Sequence, residues 1–111
     1  MQNEKRDKMC VIVTNHAKER THERVGIPKR IINKNSEKAF AEGIAHCELS
    51  GSLKRFVDGL YLKNRSANNI RIYCGNVYLF AGNILITVIA LPEKYRKTAD
   101  RIWKNRSSGV N

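Results

Sequence analysis

His16, Arg20 and Arg24 stand four residues apart in a stretch without glycine or proline. On a helix all three project from one side. An imidazole beside two guanidinium groups suits phosphodiester chemistry. Histidine, with an unperturbed pKa of about 6.5, exchanges a proton near neutrality, and arginine can hold a phosphate through two parallel hydrogen bonds. In RNA cleavage without a metal or cofactor, a base takes the ribose 2′-OH proton and that oxygen attacks the adjacent phosphate. Fixed positive charge then stabilises the crowded transition state. In that scheme His16 is the acid or base, and Arg20 and Arg24 are the electrostatic clamp. The same residues also read as an ordinary solvated face, because Glu19 and Glu23 can pair with Lys18, Arg20 or Arg24 for a few tenths of a kcal/mol (~0.3) each. His22 lies off this face, and His46 is either a second titrating group or a loop residue.

The elements that must position this stripe can be read from turn and period signals. Thr14 is a candidate N-cap for a helix over 15–25, and Gly26 a breaker after it. Pro28 opens a second helix, with Ile31, Ile32, Ala39 and Phe40 as its apolar stripe and Gly43 as its end. Leu53, Phe56, Val57 and Leu60 recur with helical period and predict a third helix over 52–62. Gly75-Asn76 and Gly82-Asn83 then read as two hairpin turns in a meander with strands at 69–73, 77–81 and 84–91. The last of these strands is apolar on both faces except for Thr87. Pro92 ends it, and a basic helix from Glu93 to about Lys104 closes the chain.

The expected architecture is therefore α+β, with N-terminal helices packed on one face of an antiparallel β-meander and a basic C-terminal helix. Met9 to Val13 is a candidate fourth strand, which makes the expected sheet three- to four-stranded. One domain over 9–106 is expected between disordered tails at 1–8 and 107–111.

The chain of 111 residues carries 21 basic and 10 acidic side chains, a net charge of +11. Residues 1–50 contribute +3 (10 basic, 7 acidic) and residues 51–111 contribute +8 (11 basic, 3 acidic). Such one-sided basicity is offset by a polyanion that releases counterions on binding. Lys54, Arg55, Lys63, Arg65 and Arg71 flank the start of the meander, and Lys94, Arg96, Lys97, Arg101, Lys104 and Arg106 crowd the last helix. All but the last two form the expected RNA-binding set. No zinc-finger spacing, aromatic RNA-recognition signature or clear recognition helix accompanies them. The uncharged window at 72–92 is cut twice by Gly-Asn, so no membrane span is expected. Cys10, Cys47 and Cys74 follow no disulfide or zinc spacing, and with no signal-peptide core at the N-terminus they point to the cytoplasm.

The run His16-Ala17-x-x-Arg20-x-x-Glu23-Arg24-x-Gly26-Ile27, followed by Ile86-Thr87-Val88-Ile89, resembles a family of small bacterial and mobile-element proteins. That family is grouped with the barnase, EndoU, colicin and RelE-like ribonuclease fold. The resemblance covers about residues 14–91 and implies His16, Arg20, Arg24 and Thr87 as catalytic candidates, with Thr87 hydrogen-bonding the phosphate from the sheet. It implies a metal-independent endoribonuclease of the toxin or mobile-element kind. The alternatives are a non-catalytic binder of RNA or of a ribonucleoprotein, such as a phage-encoded inhibitor, and a partner of an acidic antitoxin, immunity protein or DNA mimic. No second histidine is placed in the sequence as an obvious partner acid.

Overall fold

The computed structural model describes residues 11–108. The expected tail at 1–8, the Met9 and Cys10 part of the candidate strand, and residues 109–111 lie outside the described residues. Helix α1 (Asn15–Val25) begins where Thr14 accepts a hydrogen bond from the Ala17 amide at 3.1 Å. It ends at Gly26, whose φ of 74° is the left-handed geometry of a helix C-cap. Helix α2 (Lys29–Glu42) follows Pro28, and helix α3 (Gly51–Lys63) buries Leu53, Val57 and Leu60. Between them lies a short 3₁₀ turn, His46–Glu48. The strands are β1 (Asn69–Tyr73), β2 (Asn76–Ala81) and β3 (Ile84–Ala90), paired antiparallel in the order β1-β2-β3. A 3₁₀ turn, Glu93–Tyr95, leads into α4 (Arg96–Ser108), so Ser107 and Ser108, expected in the tail, belong to the helix.

The α+β class and the meander are as expected, but helices cover both faces of the sheet, not one. Strand β2 requires this. Its Val77 and Leu79 enter a core with Leu53, Val57 and Leu60 of α3 and Ala99 of α4. Its Tyr78 and Phe80 enter a second core with Ile32 and Ala39 of α2 and Val25 of α1. Because successive side chains of a strand point to opposite faces, four consecutive large apolar residues need cover on both sides. All four are at most 1% exposed.

The sheet has three strands among the described residues. Ile12 adds only one parallel bridge at the β3 edge, donating to the Asn83 carbonyl and accepting from the Leu85 amide, each at 2.9 Å. Ile44 makes the matching antiparallel bridge to Ile72 at the β1 edge. Both edges are thus partly occupied by non-strand chain, a protection against pairing with other molecules.

The first turn is shifted by one residue from its expected place. Tyr73 pairs with Asn76, so the turn residues are Cys74 and Gly75, with φ of 48° and 79°. Two successive positive values define the type I′ hairpin, which suits strand twist. A cysteine in left-handed geometry costs about 1–2 kcal/mol, and Gly75 takes the neighbouring position without that penalty.

Two arginines converge on the end of α2, one from the sheet and one from α4. Arg71 of β1 donates to the Gly43 carbonyl and to Asn69 Oδ1, each at 3.0 Å. Arg106 of α4 donates to Glu48 through two nitrogens (2.6 and 3.2 Å), to the Gly43 carbonyl at 3.2 Å and to the Glu42 carbonyl. It thereby satisfies carbonyls orphaned at the C-terminus of α2. Burial pulls the Glu48 carboxyl up, but the Arg106 hydrogen bonds and charge, with the Ala45 amide, outweigh it and hold the group below its ordinary value.

A depressed carboxylate contributes stability above its unfolded pKa and loses that contribution as pH falls through the folded value. Glu48→Gln should therefore lower stability by about 1 kcal/mol at pH 7. In thermal melts against pH, the gap to wild type should close on acidification below about pH 4. A second pair separates packing from propensity. A Cβ at Gly43 would meet the Ala39 carbonyl oxygen at 2.5 Å and Arg71 Cβ at 2.8 Å, whereas one at Gly59 in α3 meets nothing within 4 Å. Gly43→Ala should cost about 2 kcal/mol and Gly59→Ala should gain about 0.5–1 kcal/mol, both read by denaturant unfolding.

Candidate functional site

Helix α1 lies along β3 and against α2. Its Ala17 and Thr21, one turn apart, are 2% and 0% exposed. The stripe of His16, Arg20 and Arg24 is displaced from that buried row by one residue, about 100° around the helix. All three side chains are exposed. This places the stripe along the margin of the buried row, and Arg24, in the last turn, reaches the sheet. Its guanidinium donates to Thr87 Oγ1 at 3.4 Å. Thr87 is 5% exposed, on the middle of β3 opposite Leu79. Two candidates separated by 63 residues in the chain are thus brought into contact.

His16 and Arg20 have no hydrogen bond or ion pair among the described residues. They remain open to a ligand on the same stripe that Arg24 closes at one end. His22, off this stripe, donates from Nδ1 to the Ile27 carbonyl at 3.0 Å and braces the α1–α2 connection.

The basic residues expected to bind RNA are dispersed in role. Arg71 is a half-buried structural tie, as described. Lys54 pairs with Asp58 at 3.2 Å, and Lys94 lies over the Tyr95 ring at 5.3 Å from its centroid. Arg96 packs beside Gly75. Arg55, Lys63, Arg65, Lys97 and Arg101 are exposed, without an ion-pair partner among the described residues. Lys97, Arg101 and Lys104 share a shallow groove of about 400 Å³ on α4 with Asp100 and Asn105. Helix α4 turns Ala99, Ile102 and Trp103 inward, so positions 97, 101 and 104 form its outer cationic row.

One arrangement escaped the sequence reading. His46 Nε2 donates to Asp58 at 2.6 Å, and the His46 ring meets Tyr61 edge-on with centroids 5.4 Å apart. The His46 hydrogen bond, then that of Lys54, holds the Asp58 carboxyl below its ordinary value. Asp58 had no place in the candidate set, although it stands four residues after Lys54. Its histidine contact depends on how the His46–Glu48 turn lies against α3, which spacing does not report.

Comparison with family models, with curated proteins and with solved structures found no match. Among the described residues no helix is long and apolar enough to cross a membrane.

Since His16 and Arg20 are exposed and unpartnered among the described residues, neither holds the fold. His16→Ala and Arg20→Ala should each change unfolding free energy by no more than about 0.5 kcal/mol, measured by denaturant titration. A larger loss would give the stripe a structural role.

Proposed function

We propose that the protein is RNA-directed and is a metal-independent endoribonuclease acting through the α1 stripe and Thr87. The observation that carries this reading is the Arg24–Thr87 contact, which joins one end of the stripe to the sheet while His16 and Arg20 stay open. The net charge of +11, weighted toward the second half of the chain, favours a polyanionic substrate.

In the reaction proposed, His16 accepts the proton of the ribose 2′-OH. The O2′–P bond forms as the P–O5′ bond breaks, leaving a 2′,3′-cyclic phosphate, and the departing 5′-oxygen takes a proton from the imidazolium so formed or from water. Arg20 and Arg24 offset the charge gathered on the phosphoryl oxygens. Thr87, already accepting from Arg24, offers its hydroxyl proton to a phosphoryl oxygen. A second reading, a non-catalytic binder of RNA or of a ribonucleoprotein, is favoured by one observation. No carboxylate among the described residues hydrogen-bonds His16 to orient its ring.

Incubation of a mixed structured RNA in EDTA separates the two. The nuclease reading expects cleavage that falls at least 100-fold in His16→Ala and about 100-fold in Arg20→Ala or Arg24→Ala. Intact RNA together with strongly salt-dependent binding would falsify it in favour of the binder.

A further inference from the structure

A cavity of about 240 Å³ lies between the β1–β2 turn and α4, lined by Tyr73, Cys74 and Gly75 on one side and by Ala99, Asp100 and Trp103 on the other. Pockets for drug-sized ligands span about 300 Å³ or more, so this space suits a single small ring system. Tyr73 and Trp103 pack edge-to-face, with ring centroids 6.0 Å apart at 66°, and form one aromatic wall, while Ile44, Ile72 and Ala99 complete the lining. Arg106 lies over the Trp103 ring, 5.0 Å from its centroid, and fixes the indole in place.

The surroundings specify the occupant. Asp100 also lines the two adjoining hollows. One contains Arg96 beside Gly75, and the other contains Lys97, Arg101 and Lys104. An aromatic cleft between cationic grooves is the pattern by which proteins hold single strands, stacking bases on rings while the phosphates follow the positive charge. Asp100 has no hydrogen bond or ion pair among the described residues. A carboxylate at this point repels a phosphate and accepts from an N–H, so it favours a base bearing an exocyclic amine.

We infer that the cavity beside the Tyr73–Trp103 pair takes one unpaired nucleobase with an exocyclic amine, that Asp100 accepts from that amine, and that Arg96, Lys97 and Arg101 hold the flanking phosphates. The inference rests on the RNA-directed reading above and adds to it a place where sequence can be read, away from the α1 stripe. Adenine and cytosine present an amine, whereas uracil has a carbonyl in its place.

Trp103 is the sole tryptophan, so its fluorescence reports the cleft directly. The test titrates 2′-O-methyl hexanucleotides of A, C or U, which cannot undergo 2′-OH attack, into the full-length protein in EDTA. Saturable quenching is expected with A and C, and at least about tenfold weaker binding with U. Tyr73→Ala should weaken A and C by roughly tenfold through lost stacking. Asp100→Asn, a surface change that spares the fold, should bring A, C and U within about twofold of one another if the carboxylate supplies the discrimination. Equal quenching by all three oligomers and by a blunt RNA duplex overturns the assignment. So does no quenching by any of them, including the case where an acidic peptide bearing phenylalanine quenches instead. Since these probes cannot be cut, base-selective quenching without RNA cleavage sustains the cleft and removes the nuclease. Cleavage without base-selective quenching does the reverse.

Discussion

The burial of β2 on both faces is the constraint from which the rest of the molecule follows. Val77, Tyr78, Leu79 and Phe80 bring four successive large side chains to the centre of a three-stranded sheet, and neither face can be left to water. One face is closed by α3 and α4 and the other by α1 and α2. Each cover places a different candidate surface. Packing α1 along β3 puts the histidine-arginine stripe beside Thr87. Packing α4 beneath the other face turns its cationic row outward and opens the aromatic cleft at the β1–β2 turn.

This arrangement divides the arginines by task. Arg71 and Arg106 converge on the Gly43 carbonyl, where the end of α2 must be held against the sheet and no Cβ can be accommodated. Their positive charge is largely committed to backbone carbonyls and Glu48. Arg20, Arg55, Lys63, Arg65, Lys97 and Arg101 lie outside that work and are exposed without an ion-pair partner among the described residues. The net charge of +11 is therefore only partly a measure of binding capacity.

Much of the fold was legible because its signals are local. Thr14 and Gly26 bracket α1 through capping, and the Leu53, Phe56, Val57 and Leu60 repeat marks α3 through a single face. The meander followed from two glycine-containing turns, but the first was misplaced by one residue because Cys74 carries no turn preference that would announce its positive φ. The second covered face was missed because the apolar run on β2 says that two covers are needed without saying which helices provide them. At the candidate site, the stripe was readable from spacing and Thr87 entered by resemblance. The Arg24–Thr87 contact required the packing of α1 on β3. The clamp on Glu48, the His46–Asp58 pair and the meeting of Tyr73 with Trp103 join residues whose separation in the chain leaves no pattern.

In the reaction proposed, the open histidine-arginine stripe supports attack by a ribose 2′-hydroxyl. The most direct test is product analysis of a single-site oligoribonucleotide cut in EDTA, beside the same oligomer with 2′-deoxyribose at the scissile nucleotide. The expected products are a 2′,3′-cyclic phosphate on one fragment and a 5′-hydroxyl on the other, with no cleavage of the deoxy-substituted strand. Cleavage that persists without the 2′-hydroxyl, or no cleavage of the all-ribose strand, would contradict that reaction.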